Sequence, residues 1–95
     1  MSTSISSEGF AIGQDRARAA AQKSIHALLR KDAPLRRAKA VRVNIIGGSD
    51  MTLGEIDEAA SVIAAEIDPD VTPTFDPSSS LFSDGRMTVL ISIDL

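Results

Sequence analysis

Apolar and polar positions along the chain fall into two periods. Around "AVRVNII" the pattern has a period of two: Val41, Val43 and Ile45 lie on one side, Arg42, Asn44 and Ile46 on the other, as in a strand buried on at least one face. "RMTVLISIDL" repeats it more strictly, with Met87, Val89, Ile91 and Ile93 alternating with Thr88, Leu90, Ser92 and Asp94. From Asp15, "DRARAAAQKSIHALLRKD" changes to helical spacing. Ala17, Ala20, Ala21, Ser24, Ile25, Leu28 and Leu29 form the apolar stripe, and Arg16, Arg18, Gln22, Lys23, Arg30 and Lys31 occupy the remaining surface. Asp15 is placed to cap this helix, and Pro34 forbids its continuation. A second helix starts at a Thr52-x-x-Glu55 capping box, carries Ile56, Ala59, Ala60, Ile63 and Ile67 as its core stripe, and stops before Pro69.

Three segments are less regular. "MSTSISSEGFAIGQ" has only Ile5, Phe10 and Ile12 as large apolar residues and reads as a ragged first strand, with residues 1–4 disordered. "VTPTFD" has strand composition, but Pro73 cannot donate to a ladder, so the segment is an edge strand or a bulged one. Asp76 to Gly85 is loop chemistry. The order β-α-β-α-β-β predicts an α+β two-layer sandwich: a mixed four-stranded sheet with two helices on one face, forming a single domain over residues 1–95. The strong apolar faces of the two regular strands should meet the helices. Arg42, Asn44, Ile46, Thr88, Leu90 and Ser92 then share the outward face, a mixed surface suited to a partner or a cleft.

Charge narrows the function. A net charge of −3 and a pI near 4.9 argue against a nucleic-acid or anionic-membrane surface, which needs clustered Lys and Arg in excess. The chain has no cysteine, hence no disulfide framework and no thiolate metal site. No apolar run approaches a membrane span, and Met1 to Ser7 lacks the regions of a signal peptide. The expectation is a cytoplasmic protein.

Candidate chemistry is sparse. Gly47–Gly48 between a strand and a capped helix resembles a phosphate turn, but Asp50 would set a carboxylate beside any bound anion. The simpler reading is a corner where glycines permit positive φ. His26 is the sole histidine, with no second ligand or nucleophile in evidence, so it reads as a surface or boundary residue. Asp68 with Asp70, and Asp57 with Glu58, read as solvated helix-end acids, and Arg36, Arg37 and Lys39 as a solvated loop.

Four segments in order carry a family resemblance: "GQDRARAAAQKSI", "VRVNIIGGSDMTLGEIDEAASVI", "DPDV" and "DGRMTVLIS". They resemble the C-terminal domain of the bacterial cell-division GTPase FtsZ, the tubulin homologue, over about Ser6 to Ile93. That family has an Asn-Ile-Thr-Gly-Gly strand end and a Val-Thr-Val-Ile-Ala-Thr-Gly closing strand. Here Ile46 replaces the Thr, and Ile91–Ser92–Ile93–Asp94 departs from the closing Ala-Thr-Gly. The family binds GTP through a Gly-Gly-Gly-Thr-Gly-Thr-Gly loop in an N-terminal Rossmann-like domain, with hydrolytic acidic residues in a loop before the resemblance begins. Neither segment occurs in this sequence, nor do the linker and tail peptide that follow the family's last strand.

The resemblance therefore implies a non-enzymatic interaction or assembly domain related to cell division, with no GTP and no cofactor of its own. It implies that Asn44 and Thr88 face a cleft between the family's central helix and this sheet, a cleft that accommodates small-molecule inhibitors. The expected partner is an FtsZ-type protein or a second copy in a weak homodimer, without nucleic acid or membrane. The alternative is a small-ligand-binding or catalytic α/β sandwich unrelated to division. Only Arg42 is charged among the outward positions, which weakens that alternative.

Overall fold

The strand with the strictest alternation occupies the centre of the sheet. In the computed structural model, which describes residues 4–80 and 83–95, β4 (Arg86–Asp94) pairs antiparallel with β1 (Ser4–Ile12) on one side and with β2 (Ala40–Gly47) on the other. β2 also pairs parallel with β3 (Thr74–Ser79), so the strand order is β1-β4-β2-β3. A parallel pair needs a crossover, which α2 (Leu53–Ala64) supplies. Helix α1 (Arg16–Arg30) lies over β1 and β4 and against α2, and a 3-10 turn at Leu35–Arg37 leads into β2. The expected α+β two-layer sandwich is the fold observed. Val41, Val43 and Ile45 with Met87, Val89, Ile91 and Ile93 form the floor of the core, and Ala59 and Ile63 of α2 and Leu28 of α1 help close it.

β1 is a full nine-residue strand, and its faces are set by space instead of hydrophobicity. Ser7, Gly9 and Ala11 point inward, whereas Phe10 and Ile12 face out at 50% and 73% exposure. The inward residues are small because α1 lies directly on the strand: a Cβ at Gly9 would sit 2.5 Å from the Ala20 carbonyl oxygen and 2.5 Å from the Ser24 nitrogen. Ser7 Oγ donates to the Ser24 carbonyl at 2.8 Å and lies 2.9 Å from Ser24 Oγ, which satisfies the buried hydroxyls mutually. Ser4 is paired with Asp94, so the expected disorder does not reach it; residues 1–3 lie outside the described residues.

α1 differs from expectation in three places. Asp15 precedes it in the left-handed region (φ 60°), and its side chain caps nothing. Leu29 turns to solvent at 51% exposure, and Arg16 is not on the surface but buried. At its other end, N–H groups of Asp32 and Ala33 donate to the carbonyls of Leu29 and Leu28, both at 3.0 Å, with Asp32 at φ 55°. That is a Schellman stop built on aspartate where glycine is usual.

α2 ends at Ala64, so Ile67 packs from the turn beyond the helix. β3 is the expected edge strand, but it extends over Asp76–Ser79, which composition assigns to a loop. Among the described residues it pairs with β2 alone, so Pro77 is tolerated where its missing N–H faces away from the ladder. Leu81 and Phe82, in the remainder of that expected loop, lie outside the described residues.

Candidate functional site

Strand register turns the outward face into rows. Reading from β1 to β3, one row is Ser6, Ser92, Arg42 and Thr74, the next is Glu8, Leu90, Asn44 and Asp76, and the third is Phe10, Thr88, Ile46 and Ser78. The six residues expected on this face, Arg42, Asn44, Ile46, Thr88, Leu90 and Ser92, fall in three adjacent rows on the two central strands. Arg42 is exposed and the other five are half-buried. A shallow depression of about 380 Å3 is lined by Ser6, Glu8, Asn44, Leu90 and Ser92 among others. Phe10 and Ile12 extend the apolar part of the face, and the Arg86 guanidinium carbon lies 5.1 Å from the Phe10 ring centroid. The parity of β1 is the feature that sequence alone leaves undetermined, because Ile5 falls on one face and Phe10 and Ile12 on the other.

The charged groups of this face are Glu8, Arg42, Asp76, Arg86 and Asp94; Arg42 lines one depression together with Asp94, and Glu8 lines another together with Lys31. Asn44, Thr88 and Ser92 offer neutral donors and acceptors around Leu90 and Ile46, a polar setting for an apolar patch.

The glycine corner is a second constellation, and its reason is steric. Neither Gly47 nor Gly48 has positive φ, which corrects the expectation from sequence. A Cβ at Gly47 would lie 2.8 Å from Met51 Cβ, and one at Gly48 would lie 2.6 Å from the Asp84 nitrogen. The β2–α2 corner is thereby pressed onto the β3–β4 connection. Ser49 N–H donates to Asp84 Oδ1 at 2.9 Å, and Gly85 N–H donates to Asp50 Oδ2 at 3.2 Å.

Arg16 holds the same corner from α1. Its Nε donates to Glu55 Oε2 at 2.6 Å, Nη2 to Glu55 Oε1 at 2.8 Å and to the Asp50 carbonyl at 3.1 Å, and Nη1 to Asp50 Oδ2 at 2.9 Å. The hydrogen bonds from Arg16 hold the Asp50 and Glu55 carboxyls below their usual values, and the guanidinium is held charged in return. Glu55 also accepts from Thr52 N–H at 3.1 Å, while Thr52 Oγ1 accepts from Glu55 N–H at 3.2 Å, so the expected capping box is formed. Two carboxylates thus stand at the start of α2 where a phosphate would bind. Thr52→Ala is expected to cost about 0.5–2 kcal/mol through the lost cap acceptor, and Asp57→Ala, exposed on the same helix, under about 0.5 kcal/mol. Urea melts of the two variants compare them directly.

The remaining candidates stay apart. His26 is exposed beside Lys23 and Arg30. Asp68 Oδ1 accepts from Asp70 N–H at 2.9 Å, a local turn. Arg36, Arg37 and Lys39 are exposed. Among the described residues no three His, Asp or Glu side chains group as metal ligands, and no helix is long and apolar enough to cross a membrane.

A mixed sheet ordered β1-β4-β2-β3 under two helices defines the class, an α+β two-layer sandwich. Residues 4–91 match the model of the FtsZ family, C-terminal domain, and the chain belongs to that family. It is 47% identical over 74 residues to the cell division protein FtsZ of Caulobacter vibrioides, covering 74% of this chain and 15% of that one. It is 41% identical over 83 residues to FtsZ of Magnetospirillum gryphiswaldense, covering 87% of this chain and 15% of that one. A solved structure of an empty FtsZ dimer from M. jannaschii superposes with a TM-score of 0.87 at 21% identity, over 97% of this chain and 26% of that chain. CetZ2 from Haloferax volcanii, in a GTPγS-bound protofilament, superposes at 0.53 and 17% identity, over 95% of this chain and 28% of that one. The chain is thus the C-terminal part of the family and not its GTPase core, and it spans about a seventh of the length of these two bacterial relatives.

Proposed function

We propose that this domain, residues 1–95 acting as one unit, is a non-enzymatic interaction module for FtsZ-type assembly in cell division, working in the cytoplasm and binding no GTP itself. The observation that carries this reading is the outward face, where Leu90, Ile46 and Phe10 lie among Asn44, Thr88 and Ser92. Such a face fits an apolar partner surface with a few hydrogen-bonding groups, on an FtsZ-type protein or on a second copy. Among the described residues the catalytic alternative could draw only on Arg42 with Asp94, or Glu8 with Lys31, neither joined by a histidine or cysteine.

Leu90 and Ile46 are already half-buried, so covering what remains is worth less than the about 1.5–3 kcal/mol of fully burying a large apolar side chain, set against the translational and rotational cost of association. The expected self-association is therefore weak and concentration-dependent. Sedimentation of wild type and Leu90→Lys from micromolar to millimolar concentration tests it. The substitution should shift the wild-type association toward monomer, and GTP should change neither sample. A wild type that stays strictly monomeric, or an association that Leu90→Lys leaves unchanged, removes self-association through this face.

A further inference from the structure

Both sheet edges carry a device against pairing, and the one on β1 is made from another element. In an antiparallel edge strand alternate residues turn their N–H and C=O groups away from the sheet; in β1 these include Ser6, Glu8 and Phe10. Lys31 Nζ donates to the Ser6 carbonyl at 2.6 Å, and Lys23 Nζ donates to the Phe10 carbonyl at 3.1 Å. The spacing is matched. From Lys23 on α1 to Lys31, the residue that caps its C-terminal end, is roughly 12 Å, and from Ser6 to Phe10 along β1 is roughly 13 Å, so the helix and its cap deliver an ammonium to each end of the exposed edge. The chain has three lysines against seven arginines, and two of the three are used in this way. On the far edge, β3 follows Pro73 and contains Pro77.

We infer that Lys23 and Lys31 are edge guards that stop β1 from pairing with β1 of a second copy of this chain. Lysine suits the task, being strongly hydrated and hard to desolvate within a new ladder. The guard acts twice. Each ammonium occupies a carbonyl that an incoming strand would need, and in an antiparallel pairing centred near Glu8 or Gly9 the Lys31 end of one copy approaches the Lys23 end of the other. The fitting partner is thus an identical strand, held off by like charge and by occupied acceptors. Association of copies is left to the sheet face, where contacts do not lengthen the sheet.

The test is made in the Leu90→Lys background, so that it does not depend on the face proposed above. Lys23→Met/Lys31→Met is compared with the Leu90→Lys parent, and with Lys39→Met as a matched loss of one lysine away from the edge. Sedimentation should show self-association tightened by roughly tenfold or more in the double variant and unchanged by Lys39→Met. Amide hydrogen exchange should slow at Ser6, Glu8 and Phe10 as the new species forms. A double variant as monomeric as its parent, or one that associates while those amides exchange at the parental rate, overturns the inference.

Discussion

Gly9→Ala is expected to destabilise the domain by at least about 2–3 kcal/mol, and Gly9→Val by more, a large share of the roughly 5–15 kcal/mol that holds a domain folded. The direction runs against intrinsic preference, since glycine is a poor strand residue and valine a good one. What decides it is the backbone of α1: the atoms 2.5 Å from an added Cβ are the Ala20 carbonyl oxygen and the Ser24 nitrogen, which no rotamer change can move. The helix would have to lift, opening the contact between Ser7 and Ser24 and the alanine stripe beneath it. Gly13 provides the contrast. Nothing lies within 4 Å of a Cβ there, but φ is 78°, so Gly13→Ala should cost only the left-handed strain of about 1–2 kcal/mol. Thermal and urea unfolding of the variants separates the two causes, and a Gly9→Ala protein as stable as wild type would contradict the close approach.

Arg16→Ala is the second large effect, at about 2–3 kcal/mol. Removing one member of a fully buried ion pair costs about 3–5 kcal/mol, and the value is lower here because the Asp50 and Glu55 side chains remain 48% and 26% exposed. Arg16→Lys should recover only part of the loss, since an ammonium cannot reproduce a fork that grips Glu55 and Asp50 together. The pH dependence has a definite sign. Both carboxyls titrate lower in the folded protein than in the unfolded chain, so the unfolded chain binds more protons in the window between the two values. Their contribution is therefore present above the usual carboxylate values and is lost as pH falls below about 4.3. Denaturation midpoints between pH 7 and pH 3 should show a steeper acid loss for wild type than for Arg16→Ala.

Arg16 also marks where sequence reading stops. Its partners are 34 and 39 residues away, and nothing within the helical period distinguishes it from Arg18, which is exposed. β2, β4 and the capping box were legible because their signals are local: strict alternation, and a Thr and a Glu three residues apart. The outward face followed from that alternation, and the register places all six expected residues on it. β1 was only half legible. Burial at Ser7 and Gly9 comes from the proximity of a helix and not from apolar side chains, so hydropathy points to Phe10 and Ile12, the residues that face out. The Asp76–Ser79 half of β3 reads as loop because its strand state is imposed by pairing with β2. The glycine pair was visible but its cause was not, since Asp84 and Met51 press on it only in three dimensions.

The position of β4 bears on how the domain comes into being on the ribosome. Chains emerge N-terminal end first, yet among the four strands of this sheet the one on which the others are assembled comes last in sequence. Until it arrives, β1 has no strand partner at all and β2 has only the short edge β3. α1 and α2 can form early, with a common floor still missing beneath them. Met87, Val89, Ile91 and Ile93 supply the middle of the core floor, so the layer can close only once β4 lies between β1 and β2. A nascent chain halted before Arg86 would expose Val41, Val43 and Ile45 along an open edge, the form in which this domain is most attractive to chaperones and most prone to pair with its neighbours on a polysome.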